Sequence, residues 1–402
     1  MPDILSQGRD RDPRPWPRRL AAVGALVLAA ILVTLYVTGH ARSPAHTASA
    51  TPTAPAPLDT PALASGAGAA PDGVTGPTLP WGSSVALPLS GDEPSWLWPA
   101  SGRTRPIGGL PAAGAGYQFT RISGGWAVQV DLAGSTACSY CNTESLPVYF
   151  LGDQARSVTR IGTANLVAPG TGTGEMWLTS YSPGTDTPQG AGTAQEVSAT
   201  GASLGPRLTL PAGEVIEQAT DRGLLLAPAI PRPGTTADTL WDPATGRASR
   251  AFNNVIAASP TEIAWASPCA ETGSGPCQVQ ILELETGNVT TAALPGGSSA
   301  ASGAFSPDGQ FLAVEASFND GGSLAAQLDV VSLGTGLLTP VPSTWVSSDA
   351  LVGFGWPDRG DSLVAELSFT TTVQVASWRP GAADLAVAAL RPGRDSASLV
   401  VG

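Results

Sequence analysis

Two hydrophobic patterns divide the chain. From Leu20 to Thr38 the sequence reads LAAVGALVLAAILVTLYVT, nineteen residues without a charge. At 1.5 Å per residue, such a run crosses a hydrocarbon core of about 30 Å. After residue 80 the pattern changes to short stretches of alternating apolar and polar residues separated by Gly-, Pro- and Asp-rich turns. Alternation of period two predicts strands with one face buried. Apolar residues at helical spacing are not evident there, which argues against an α/β enzyme scaffold and predicts an all-β domain.

The strand pattern repeats. An alternating strand, a tight turn and a second short strand recur as SWLWPASGRTRPIG, VYFLGDQARSVTRIG, AQEVSATGASLGPRL, TLWDPATGRASRAF, QILELETGNVTTAAL, LDVVSLGTGLLTPV and VQVASWRPGAADLAV. The turns fall at Gly102, Gln154, Gly201, Gly246, Gly287, Gly336 and Gly381, spaced by 41 to 52 residues. A tight hairpin puts one residue at positive φ, where a Cβ is costly, which explains the glycines. A period of 40 to 50 residues with about four strands per unit is what a propeller blade requires. The count predicts seven four-stranded blades, with six and eight as the bounds. The first unit has few strands ahead of it, and Ala397 to Gly402 follow the last. The segment 396–402 is therefore expected to complete the first blade and close the ring.

The clearest unit runs from Ala304 to Pro340. It divides into a first strand, the Pro307-Asp308-Gly309 turn, the strand FLAVEASF, a hairpin at Asn319-Asp320-Gly321-Gly322, the strand AQLDVVSL and a closing strand. This unit resembles the repeat of TolB-like and WD-type β-propellers, whose hallmark is an aromatic-Ser-Pro-Asp-Gly turn leading into an apolar strand. A degenerate copy stands at Gly355-Trp356-Pro357-Asp358-Arg359-Gly360. The resemblance is specific in about two units and rests on period alone in the other five.

Charge orients the apolar run. Arg9, Arg11, Arg14, Arg18 and Arg19 precede it, and a basic flank stays cytoplasmic, placing everything after His40 on the far side. A cleaved leader is the rival reading, but its apolar region usually spans about 7 to 15 residues and ends at a small-x-small site. Here the run is longer, and Ala48-Ser49-Ala50 lies well past its end. Residues 41 to about 80 are rich in Ala, Pro, Thr and Ser and almost free of aromatics. Such a stretch buries too little apolar surface to offset the entropy of ordering. The expected organisation is a cytoplasmic tail (1–19), a signal-anchor helix (20–39), a disordered stalk (40–80) and an extracytoplasmic propeller (81–402).

Net charge is −12, but residues 1 to 42 hold six Arg against three Asp, leaving −15 for the remainder. An acidic domain repels phosphate backbones, so nucleic acid is excluded as a partner and cationic ligands fit better. All twenty basic residues are Arg, a bias of GC-rich genomes that fits an exported protein of actinobacterial type.

Four cysteines fall in two local pairs, Cys138 with Cys141 and Cys269 with Cys277. Outside the cytoplasm an even count in close pairs reads as two disulfides. A redox centre at Cys138-Ser-Tyr-Cys141 would need the first thiol at a helix N-terminus, and no helix signal follows it. A zinc site of four thiolates conflicts with an oxidising compartment.

Both histidines, His40 and His46, lie in the stalk, and the chain has no Lys. The folded part therefore has no imidazole for a triad or general base, and no amine for Schiff-base chemistry. Carboxylates remain. A pair could hydrolyse glycosides, with Glu144, Glu175, Glu262 and Glu315 as candidates near a central channel, although their spacing marks no pair. Gly170-Thr-Gly-Thr-Gly174 lacks the Lys and helix of a phosphate loop. Asp320 and its neighbours are too few for a calcium loop, and Asn288-Val-Thr290 fits a glycosylation sequon. Trp96, Trp98, Trp126, Trp177, Trp241, Trp265, Trp345, Trp356 and Trp378 fall in or beside strands, where packing between blades is the default role and stacking on sugars at a rim the alternative. The expectation is a binding or scaffold module for a protein or cell-envelope ligand, with no catalytic residue, cofactor or metal. The alternatives are a carboxylate hydrolase acting on polysaccharide and a sensor relaying binding across the membrane.

Overall fold

The computed structural model describes Val74, Pro77 and residues 86–390, except 91–92, 112–115, 132–144, 182–190, 230–236, 268–276, 321–322, 358–361 and 370–371. The alternating segments form seven antiparallel sheets in chain order. Blade 1 contains β1 (Leu87–Leu89), β2 (Ser95–Trp98) and β3 (Arg103–Pro106). Blade 2 is β4 (Gly116–Ile122), β5 (Gly125–Asp131), β6 (Leu146–Gly152) and β7 (Thr159–Ala164). Blade 3 is β8 (Leu166–Pro169), β9 (Met176–Ser180), β10 (Thr193–Val197) and β11 (Leu208–Thr209). Blade 4 is β12 (Glu214–Thr220), β13 (Gly223–Pro228), β14 (Ala237–Asp242) and β15 (Arg247–Asn253). Blade 5 is β16 (Val255–Ala258), β17 (Glu262–Ala266), β18 (Gln278–Glu283) and β19 (Val289–Ala293). Blade 6 is β20 (Ser298–Phe305), β21 (Phe311–Asp320), β22 (Ser323–Ser332) and β23 (Leu338–Pro340), with β24 (Val346–Ser347) added against β22. Blade 7 is β25 (Leu351–Gly355), β26 (Leu363–Ser368), β27 (Val373–Trp378) and β28 (Ala386–Leu390). The only helical element among the described residues is a 3₁₀ turn at Ser348–Ala350. The architecture is the expected all-β propeller of seven blades.

The core is distributed around the ring. Among the described residues seven apolar clusters are present, and each joins two neighbouring blades. Trp96, Trp98 and Trp126 fill the junction of blades 1 and 2, and Trp177 and Trp241 that of blades 3 and 4. Trp356 and Trp378 lie between blades 6 and 7. Leu87, Leu89 and Leu97 of blade 1 meet Val364 and Val375 of blade 7, which closes the circle. Aromatic side chains carry large apolar areas, so blade packing accounts for these tryptophans.

All seven repeat turns adopt positive φ, from 57° at Gln154 to 84° at Gly381. Each links the third and fourth strands in blades 2 to 7, and β2 and β3 in blade 1. Antiparallel order puts these turns and the first-to-second strand turns on one side of the ring, the turn face. The second-to-third strand connections and the links between blades share the opposite side, the loop face. The Ser-Pro-Asp-Gly motif forms a turn as expected: Gly309 N–H bonds Ser306 O at 2.9 Å, and the Ser306 hydroxyl bonds Asp308 Oδ1 at 2.6 Å. In the degenerate copy Trp356 takes the serine's place, donates its indole N–H to Ala304 O at 3.0 Å and stacks on Phe311.

Val74 and Pro77 belong to the stretch whose composition predicts a stalk, yet both contact blade 7. Val74 is buried in the cluster between blades 6 and 7, and Pro77 O accepts the Val387 N–H at 2.9 Å. Among the described residues no helix is long and apolar enough to cross a membrane. Leu20–Thr38, the rest of the expected stalk and the closing segment 396–402 lie outside the described residues.

Candidate functional site

The loop face of blade 4 gathers carboxylates from two strands. Glu214 begins β12, the first strand of the blade, and Glu217 follows at a β-bulge between Ile216 and Gln218. A bulge leaves one residue unpaired and re-aims its side chain. Ile216 and Gln218 consequently stay buried while Glu217 reaches solvent. Asp238, near the start of β14, supplies the third acid and accepts the Val255 N–H from blade 5.

Burial first, and the Asp238 charge second, hold the Glu214 carboxyl above its usual range and push Glu217 up to about 7. Glu217 keeps open access to water while protein mass crowds around it. Its exposure governs, so its true displacement is smaller than crowding alone implies. Burial raises Asp238 to about 6, against the opposing pull of the Val255 N–H. A buried Glu214 oxygen has no hydrogen-bond partner, and Arg121–Asp153, at 2.8 Å in blade 2, is the one ion pair among the described residues. The three acids thus lack a counter-cation there. They also do not converge as a metal-binding set of three or more side chains among the described residues.

A polar relay fixes the neighbouring wall. Gln129 of β5 donates to Ala164 O and Asn165 O, both at 3.2 Å. The Asn165 side chain accepts the Tyr181 N–H at 2.9 Å, and Tyr181 donates its hydroxyl to Glu214 O at 3.2 Å. The relay runs from blade 2 to blade 4. Burial, then the Glu214 charge, pushes the Tyr181 phenol up, so it stays a neutral donor. Gly192 makes room for the ring, since a Cβ there would meet Tyr181 Cε1 at 2.8 Å.

The carboxylates singled out in the sequence lie elsewhere. Glu175 and Glu262 belong to first-to-second strand turns on the turn face and bind their own turns: Glu175 accepts Gly172 N–H, and Glu262 accepts the Ser259 and Thr261 hydroxyls. Glu315 is in β21 and accepts the Ser302 hydroxyl at 2.8 Å. No two of these three share a site, and Glu144 lies outside the described residues. Glu214, Glu217 and Asp238 were not signalled, because a bulge and a strand 21 residues downstream bring them together. Cys277 is buried just ahead of β18 and is not a free thiol. Cys138, Cys141 and Cys269 lie outside the described residues.

No family model matches the chain, and no curated protein sequence does. Similarity appears at the level of solved structures. A prolyl endopeptidase structure is 11% identical over 75% of this chain and 47% of its own, with a TM-score of 0.52. Puromycin hydrolase is 16% identical over 69% of this chain and 47% of its own, with a TM-score of 0.44. TolB from Acinetobacter baumannii is 14% identical over 67% of each chain, with a TM-score of 0.38. The chain spans about half the length of the two hydrolases. At such identities the likeness shows the propeller fold alone.

Proposed function

We propose that this chain is a membrane-anchored, extracytoplasmic propeller that binds a basic segment of a protein or cell-envelope ligand over its loop face. The observation that carries the reading is the group Glu214, Glu217 and Asp238, in which the Asp238 charge opposes ionisation of both glutamates and no counter-cation stands among the described residues. A spread cation such as a run of Arg or Lys side chains relieves their repulsion, and each restored carboxylate gains a charge-assisted bond. The domain's acidic balance steers such a ligand toward it. The uncharged run Leu20–Thr38 behind its Arg flank supports the anchor, and the paired spacing of Cys138 with Cys141 and Cys269 with Cys277 supports two disulfides in the binding loops.

The test uses the full chain in detergent micelles and a fluorescent oligo-arginine peptide. Glu214→Gln, Glu217→Gln and Asp238→Asn combined should weaken binding about tenfold or more, as loss of several charge contacts implies. Equal affinity in the triple variant defeats the reading.

One observation favours a second reading, a carboxylate hydrolase. Burial raises the Glu217 carboxyl above its usual range, the direction a general acid needs, and Asp238 stands within electrostatic reach as a second acid. Glycan cleavage by the wild-type chain that vanishes in Glu217→Gln would install this reading in place of the first.

A further inference from the structure

The second-to-third strand ladder of blade 6 runs further toward the loop face than those of blades 5 and 7. β21 and β22 pair over ten rungs, from Phe311 with Ser332 to Asp320 with Ser323. The rungs Ala313–Val330, Ala264–Ile281 and Glu366–Val375 correspond, each lying six residues ahead of its turn glycine. Beyond that rung the ladder of blade 5 ends two pairs on, at Ala266–Val279, and that of blade 7 two pairs on, at Ser368–Val373. Blade 6 continues for seven, so its ladder extends about 17 Å further at roughly 3.4 Å per residue.

The extended ladder is braced, and two large apolar side chains are exposed beside its turn. β24 adds to β22 through Ala325–Ser347 and Ala326–Val346, and the Trp345 ring tilts onto Phe318 at 4.5 Å. Leu324 is 59% exposed and Trp345 is 41% exposed. Every other tryptophan among the described residues packs in or against a cluster between blades, so Trp345 departs from the rule of its type. From residue 311 to 356 the sequence has no Arg or Lys. A phosphate-rich or strongly acidic partner therefore finds no contact here.

The position of the N-terminal segment indicates what covers this end. Val74 is packed in the same cluster as Val346, the residue after Trp345. The chain ahead of Val74 contains the uncharged run Leu20–Thr38, separated from it by 35 residues, and a coil of that length spans about 30–35 Å on average. We infer that Leu324 and Trp345 form a lipid-contacting tip that enters the headgroup layer of an electrically neutral bilayer. The inference rests on the anchor reading of Leu20–Thr38. Tryptophan with an aliphatic neighbour suits that layer, where an apolar ring body and a polar N–H are both accommodated. The nearby exposed acid Asp349 disfavours anionic lipid.

The experiment places the full chain in phosphatidylcholine nanodiscs with plain or brominated acyl chains and reads tryptophan quenching. Trp345→Phe isolates the signal of that ring from the background of Trp16, which lies close to the apolar run. The expected result is quenching by brominated lipid that drops in Trp345→Phe, and drops equally in Leu324→Asp, an exposed substitution that leaves the ring in place. If the chain inserts but both variants quench like wild type, the tip does not touch lipid, and the inference falls while the anchor stands. If Trp345 answers a soluble glycan and ignores brominated lipid, a sugar-stacking role replaces it. If the chain does not insert at all, the anchor reading and the inference fall together.

Discussion

The side-chain amide of Gln374 grips the backbone of Val74 from both sides. Its oxygen accepts the Val74 N–H at 2.8 Å and its nitrogen donates to the Val74 carbonyl at 3.4 Å, across 300 residues of sequence. Gln374→Ala removes both bonds and leaves two backbone groups to find water. The expected cost is about 1–2 kcal/mol, with faster proteolytic cleavage around residues 74–77. Limited proteolysis of the two proteins side by side checks it, and indistinguishable digestion rates would show that the grip is dispensable.

Asp329 lies fully buried in β22, and neither of its oxygens has a hydrogen-bond partner among the described residues. Burial pushes its pKa from 3.8 up to about 7. The folded state thus holds a proton that the unfolded chain releases, so this group's contribution to stability is complete below pH about 4 and is lost as pH rises through about 7. Asp329→Asn should leave stability at pH 4 unchanged and raise it at pH 8 by about 1–3 kcal/mol. Denaturant melts at the two pH values decide the matter.

Gln154 is the one repeat-turn residue at positive φ that carries a Cβ. Gln154→Gly should stabilise by up to about 1 kcal/mol, and Gly246→Ala should destabilise by a similar amount. A Cβ at Gly246 would meet nothing within 4 Å, so backbone strain alone is at issue there. A pair of thermal melts gives the sign of each.

Blade 1 shows three strands among the described residues, and its junction with blade 7 is the smallest of the seven clusters. The expectation that residues 396–402 supply the missing strand predicts that their deletion lowers the melting temperature by several degrees. A melt matching the full chain would remove that assignment.

Cation binding by the blade 4 carboxyls requires them ionised. With Asp238 raised to about 6 and Glu217 also raised above its usual range, affinity for the oligo-arginine peptide should climb between pH 5 and pH 8. Affinity that is flat over this range would place the peptide elsewhere.

The repeat and its turns were legible in the sequence because hairpin geometry writes itself locally. A residue at positive φ selects glycine, and Gly102, Gly201, Gly246, Gly287, Gly336 and Gly381 announced six of the seven turns. The seventh, at Gln154, was recovered from the period. The packing role of Trp96, Trp126 and Trp241 followed from alternation. The carboxyl group was hidden for the opposite reason. Alternation along GEVIEQAT gives no warning that the strand slips at Ile216, and nothing in the spacing couples Glu217 to Asp238 across an intervening strand. Likewise, the length of the blade 6 hairpin depends on pairing through Asp320 and Ser323, which a Gly-rich tip conceals.

The attachment of Val74 and Pro77 to blade 7 also decides where mechanical load enters the ring. A pull on the preceding chain is borne first by the Gln374 amide and the Val387 N–H, both within one blade. The seam between blades 7 and 1, where five side chains cluster among the described residues, is bypassed. Tension along the N-terminal segment should therefore peel that segment off before it opens the circle.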